Sequence, residues 1–334
     1  MARMPKAAAL LFAVLGSCVS EHESSLVFGE TMGTTWQLTL PVDADGAAAF
    51  RVVQAELDLV EELMSPWRPE SDLSRFARAD VGVAVQVAPE TLEVLELAGE
   101  VWAASGGAFD PTVGALVEAS GFGVAEEPAD FAVREAAEGV IGLDLIAVDP
   151  GERTLSKARA GLSLDLSAVA KGYAVDRAGA ALVTSGFEDF LLEVGGEVLC
   201  RGESGDKGHW VVGVEAPNLL RARALTALRI KDMAVATSGD YRNKREIDGE
   251  LRAHIFNAKT GAPVQSELTS VTIVARECAT ADAYATAAMA MGYEGAWELV
   301  LGTPGVEAVF VSRSQETGAL EQRWSEGALA LKLR

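Results

Sequence analysis

Leucines at 162, 164 and 166 alternate with Ser163 and Asp165, the period of two that a half-buried strand produces. From Val169 the spacing turns helical, through Tyr173, Ala180 and Leu182. The pattern predicts a strand over 162–166, a tight turn and a helix start. A helix start leaves backbone N–H groups unpaired, which suits a phosphate; an ordinary connection carrying a surface lysine fits the same pattern. Upstream, residues 26–40 read as β-structure with Met32-Gly33-Thr34-Thr35 in the middle. Phe50, Val53, Leu57, Val60 and Met64 mark an amphipathic helix over 44–64 that stops at Ser65-Pro66. A short strand over 83–87 precedes a helix from Pro89 to 104, closed by Gly106-Gly107. A loop over 121–130, the one candidate seam, leads to a short helix over 131–139. Further strands are expected over 143–148, 190–194, 210–215, 225–230, 234–237, 270–275 and 308–312, and a helix over 279–291. Strands and helices are mixed without strict βαβ alternation, so the fold class expected is α+β, mixed sheets packed with helices.

The 334 residues are 49% apolar and 23% charged, a globular composition. A net charge of −21 with no basic stripe excludes non-specific nucleic-acid binding. The three histidines (22, 209, 254) and three cysteines (18, 200, 278) do not cluster, so any metal is expected to be a hard cation held by oxygens. Arg3 and Lys6 precede an apolar run over 7–15 and Gly16-Ser17-Cys18. That run is too short to span a bilayer and suits a signal peptide. The expected organisation is a lipoprotein-like signal over 1–18 with Cys18 lipidated, a tether over 19–25 and one catalytic unit over 26–334. A plain secretory signal is the alternative. Cys200 and Cys278 could pair or stay free.

Several stretches carry candidate chemistry. Asp282 and Thr286 are spaced i,i+4 on a helix otherwise made of small apolar residues, so they share a face. An inward carboxylate there needs a partner. Mg²⁺ with a carboxylate, a hydroxyl and a backbone carbonyl would serve, and helix capping is the alternative. Gly106-Gly107-Ala108-Phe109-Asp110-Pro111 permits close backbone approach. Thr237-Ser238-Gly239-Asp240-Tyr241-Arg242 offers hydroxyls and an anion-binding arginine, and His254 a candidate base. Trp67, just past a helix end, could stack on a flat ring or pack in the core.

The ordered set MGTTW, LMSPWRPESDLSRF, GGAFDPTVG, LDLSAVAKGYAVD, LLEVGGEV, TSGDYR, HIFNAKTGAPV and TADAYATAAMAMG resembles the ApbE family of FAD:protein FMN transferases, many of them exported bacterial lipoproteins. The resemblance implies FAD as donor, FMN moved through its phosphate onto a threonine or serine hydroxyl of an acceptor flavoprotein, and release of AMP. It implies Mg²⁺ held by the Ala168 carbonyl, Asp282 and Thr286. It implies an FAD site lined by Met32, Trp67, Ala108, Phe109, Asp110, Asp165, Lys171 and Ile255, with His254 and Arg242 near the reacting phosphate. His254, then Asp165 or Asp282, are the candidate proton acceptors. Such a protein would sit on the periplasmic face of a bacterial membrane, anchored through Cys18. Two positions depart from the family pattern: Asn257 and Ala258 stand where aspartate and proline are usual. Asn keeps the hydrogen-bonding shape without the charge. Trp67 replaces the commoner tyrosine. An FAD pyrophosphatase, with water in place of the acceptor, and a non-catalytic flavin-binding lipoprotein are the alternative functions.

Overall fold

Eight strands form the main sheet: β1 (Ser24–Thr31), β2 (Thr34–Pro41), β3 (Phe190–Val194), β4 (Glu197–Arg201), β5 (Ala234–Gly239), β6 (Leu268–Ala275), β7 (Glu307–Arg313) and β8 (Leu320–Trp324). Their spatial order is their chain order, and every neighbouring pair is antiparallel. This is the α+β arrangement the sequence predicts, since a meander needs no βαβ crossover. The computed structural model describes residues 24–124, 128–129, 131–217, 224–240, 245–247, 250–252, 255–264, 266–314 and 316–333. The segment expected as a signal, Cys18, Arg242 and His254 lie outside these residues. Among the described residues no helix is long and apolar enough to cross a membrane.

The helices are α1 (Gly46–Met64), α2 (Asp72–Arg78), α3 (Pro89–Ala104), α4 (Gly114–Ala119), α5 (Phe131–Glu138), α6 (Ser167–Thr184), α7 (Cys278–Gly302) and α8 (Glu326–Leu331). Helices α1, α3, α6 and α7 bury their apolar stripes with one sheet face in the principal core, which includes Trp36, Leu57, Val101, Leu182, Phe190 and Phe310. A smaller core on the other face joins Leu191, Val198, Val235, Val274 and Val309 to the hairpin Trp210–Glu215/Ala224–Ile230 and to Ala328 of α8.

The structure corrects several expectations. β1 starts at Ser24, so two residues read as tether belong to the sheet. Residues 162–166 form no strand; Ser163 makes only an isolated parallel bridge to Val113. Leu162, Leu164 and Leu166 are buried all the same, so the period of two reports burial without a ladder. Residues 143–145 form a 3₁₀ turn before a strand at Ile146–Asp149. No seam divides the chain near 121–130: Leu116, Ala119, Ala137 and Phe256 form one cluster, and the Phe122 and Phe256 rings meet edge-on at 6.4 Å. The helix expected to end at 291 continues beyond a kink at Gly292, whose φ is +74°.

Helix α7 is apolar nearly all round, the mark of a buried helix. Its own N-cap residue, Glu277, makes no side-chain cap. Asp176 of α6 supplies it instead, accepting from the N–H groups of Cys278 and Ala279 at 2.8 Å each. Capping by Asp282 is therefore excluded. Burial, outweighing those two donors, pushes Asp176 up to about 6. The folded state then holds this proton more tightly than the unfolded chain. The contribution is stabilising below about pH 4 and is lost as pH rises through about 6. Asp176→Asn should flatten that part of the profile, read as the difference in urea midpoint between pH 4 and 7 for variant against wild type. Cys200 and Cys278 are both free and buried, which settles the open pairing.

Candidate active site

The turn that leads into α6 is held by the neighbouring loop at 111–114. The Asp165 N–H donates to the Pro111 carbonyl at 2.8 Å, and Asp165 Oδ1 accepts from the Ser167 N–H at 2.9 Å. A Cβ on Gly114 would stand 2.8 Å from the Leu164 carbonyl carbon, so only glycine lets these loops touch. The Ala258 N–H donates to the Ala108 carbonyl at 3.0 Å. Stretches around 108, 165 and 258, far apart in sequence, therefore form one wall.

Helix α6 leaves this wall and runs against α7. Lys171 Nζ lies 2.7 Å from Glu197 Oε1 and 3.5 Å from Asp282 Oδ2. Asp282 Oδ2 also accepts from the Gly172 N–H at 3.1 Å. In a regular α-helix that N–H would bond the Ala168 carbonyl, so this contact brings the backbone of that turn and the Asp282 carboxylate to one place. Thr286 Oγ1 lies 3.1 Å from Ser238 Oγ of β5. Lys171 and Asp282 thus meet directly; Thr286 lies one turn further along α7 and faces Ser238, and Ala168 opens the turn of α6 that carries Lys171 and Gly172.

The electrostatics follow from burial. Burial pushes the Asp282 carboxyl up to about 7 against the pull of Lys171 and Gly172, and Glu197 adds to the rise. Burial also works against the Lys171 charge, but Asp282 and Glu197 outweigh it and hold the ammonium above its ordinary range. Glu197 is itself buried, and its Oε2 finds no partner in the structure.

The other residues expected at the site divide. Ala108, Phe109, Asp110 and Ile255 are buried. Both Asp110 oxygens accept from protein groups: Oδ1 from the Thr112 N–H and Oγ1 of its own loop, Oδ2 from the Leu143 N–H of the 3₁₀ turn 33 residues on. Trp67 is 56% exposed, which removes core packing as its role. Met32 is half-buried in the β1–β2 turn. Asn257 explains its departure from the family pattern. Its Nδ2 donates to the Ala290 carbonyl of α7 at 3.0 Å and its Oδ1 accepts from the Lys259 N–H at 3.0 Å. A carboxylate could not make the first bond.

A model of the ApbE family matches residues 32–310. The chain belongs to the ApbE family. It is 35% identical to the FAD:protein FMN transferase of Vibrio cholerae, over 84% of this chain and 85% of the relative. Against the Escherichia coli K12 protein of the same name it is 32% identical over 83% and 81%. Among solved structures, the flavin transferase ApbE from Vibrio cholerae superposes with a TM-score of 0.82 at 29% identity, covering 92% of this chain and 99% of the other. The ApbE protein of Thermotoga maritima gives 0.82 at 28%, covering 93% and 100%.

Within this ApbE site, sequence reasoning missed Glu197, the cap Asp176 and the pairing of Ser238 with Thr286. The available signal for Glu197 was an acidic residue opening an apolar strand directly after Gly195-Gly196. Among the described residues no three His, Cys, Asp or Glu gather as a metal cage. Oxygen is what this region offers: the carboxylates of Asp282 and Glu197, both on Lys171, and the Thr286 and Ser238 hydroxyls one helical turn along α7. An oxygen-only set fits Mg²⁺, which keeps several waters and takes few protein ligands, and does not fit a metal that needs nitrogen or sulfur.

Proposed function

We propose that this chain transfers FMN from FAD to a threonine or serine hydroxyl of an acceptor flavoprotein, with Mg²⁺, at the periplasmic face of a membrane to which Cys18 anchors it. The observation that supports the reading is the buried pairing of Lys171 with Asp282, one helical turn from Thr286, in a chain 32–35% identical to proteins named FAD:protein FMN transferase. In the reaction the acceptor oxygen bonds to the FMN phosphorus while the phosphoanhydride bond to AMP breaks. The hydroxyl proton passes to a base and AMP departs with the bridging oxygen. Phosphoryl transfer of this kind depends on positioning and charge neutralisation.

Ala168, Asp282 and Thr286 would hold the metal, which supplies charge stabilisation at the phosphoryl oxygens. Lys171 places a positive charge at the diphosphate in a strongly acidic protein. The 108–110 and 165 wall, Met32, Trp67 and Ile255 orient the flavin end, and Arg242 and His254 act near the reacting phosphate. His254 is the candidate base; Asp165 and Asp282 follow.

The test is mass spectrometry of candidate acceptors co-expressed with the full chain, paired with product analysis using FAD and Mg²⁺. Covalent FMN on threonine with stoichiometric AMP is expected. Free FMN with an unmodified acceptor would establish the pyrophosphatase instead, and bound FAD with no AMP a flavin carrier.

A further inference from the structure

Met32 adopts φ +46°, the left-handed region that a side chain bearing a Cβ enters at a cost. Such a residue persists only where its surroundings hold it. Here the two-residue turn between the paired Thr31 and Thr34 demands positive φ at both Met32 and Gly33, and Glu61 ties that turn to α1, its Oε2 accepting from the Met32 N–H at 3.0 Å across 29 residues of sequence. Its Oε1 accepts from Arg68 Nη2 at 3.3 Å. The Glu61 side chain is 12% exposed, against 44% for Arg68.

Glu61 stands in the last turn of α1, where the helix dipole disfavours a carboxylate and the turn itself holds no basic residue. Helix propensity therefore does not account for it, and its two acceptor contacts do. Two turns earlier on the same helix face, Gln54 Nε2 donates to the Glu30 carbonyl at 3.1 Å and its Oε1 accepts from Trp36 Nε1 at 2.9 Å. Helix α1 thus grips the β1–β2 hairpin at two heights, and at the upper one Glu61 also reaches the loop that follows the helix. That loop is set by its backbone: Arg68 N–H to the Ser65 carbonyl, Ser71 N–H to the Arg68 carbonyl, and Ser74 Oγ to the Pro66 carbonyl. Trp67, largely exposed, takes its position from the loop.

We infer that Glu61 is a positioning residue that fixes the Met32 turn and the Trp67 loop as two walls of the flavin pocket. The inference rests on the proposed function, in which Met32 and Trp67 line that pocket. Glu61 touches neither the flavin nor the metal and acts on the affinity for FAD alone.

The experiment titrates FAD by flavin fluorescence against full-chain Glu61→Ala, Glu61→Gln and Arg68→Ala, with Mg²⁺ affinity by calorimetry and turnover at saturating FAD alongside. Glu61→Ala should raise the Kd for FAD about tenfold, and Glu61→Gln and Arg68→Ala about threefold, because each of these two breaks one arm. Mg²⁺ affinity should not move, and kcat should stay within about twofold. Glu61→Gln stands in should the alanine variant fail to fold. Met32→Ala and Trp67→Ala serve as site controls. If they weaken FAD binding while both Glu61 variants bind normally, the inference is overturned and the site stands. If they too bind FAD normally, the site assignment falls and the inference with it. A lowered unfolding midpoint with unchanged Kd for FAD would make Glu61 a purely structural residue and likewise overturn the inference.

Discussion

Asp282→Ala is expected to lower Mg²⁺-dependent AMP release from FAD by about 10³-fold, the several kcal/mol that metal charge stabilisation supplies to such a transition state. The carboxylate is the one acidic donor in the proposed set with Ala168 and Thr286, and it is nearly inaccessible, at 3% exposure. The fold should survive, because burial already disfavours the Asp282 charge and Lys171 keeps Glu197 at 2.7 Å. Asp282→Asn separates the two roles: it retains an acceptor for the Gly172 N–H and should still lose turnover. Chromatographic quantification of AMP, run beside thermal unfolding, decides the matter. Turnover within tenfold of wild type in a folded Asp282→Ala protein would show that the metal is held elsewhere.

Gly172→Ala is expected to cost about 3 kcal/mol of stability, the upper end for forcing a methyl group into packed structure. The added Cβ would overlap the Cys278 carbonyl group and stand 2.7 Å from Ala279 Cα. The obstacle is backbone of α7, not a side chain that could swing aside. Any relief separates α6 from α7 and displaces the Gly172 N–H from Asp282, so turnover should fall together with the urea midpoint. Gly302→Ala is the matched control: a Cβ there meets nothing within 4 Å, and the midpoint should not drop. Equal midpoints for the two variants would refute the close crossing of α6 and α7.

The elements read most accurately from the sequence carry their own punctuation. Helix α3 was bounded correctly because Pro89 suits a first helical position and Gly106-Gly107 follows its end. Strands β3 and Trp210–Glu215 also match the reading to the residue. Residues 162–166 misled because burial against a neighbouring loop gives the same alternation as a ladder. Strand β4 was missed because it is short and opens and closes on charges. At the candidate site, Lys171 and Asp282 are legible from residue type and family order, and the structure pairs them. Glu197, Asp176 and Glu61 are not, because each acts on a partner that only folding brings near. Asn257 departs from the family pattern, and its bond to the Ala290 carbonyl gives the departure a structural reason.

The order of strands in the sheet has a kinetic consequence. β2 and β3 are neighbours, yet helices α1 to α6 all lie between them in the chain. That seam cannot zip as a hairpin; the helices must collapse first, and the entropy of closing so long a loop is met before the pairing repays it. Gly172 and Asp282, 110 residues apart, meet only when α7 has also docked. The site is therefore assembled late, and partly folded chains carry none of its chemistry.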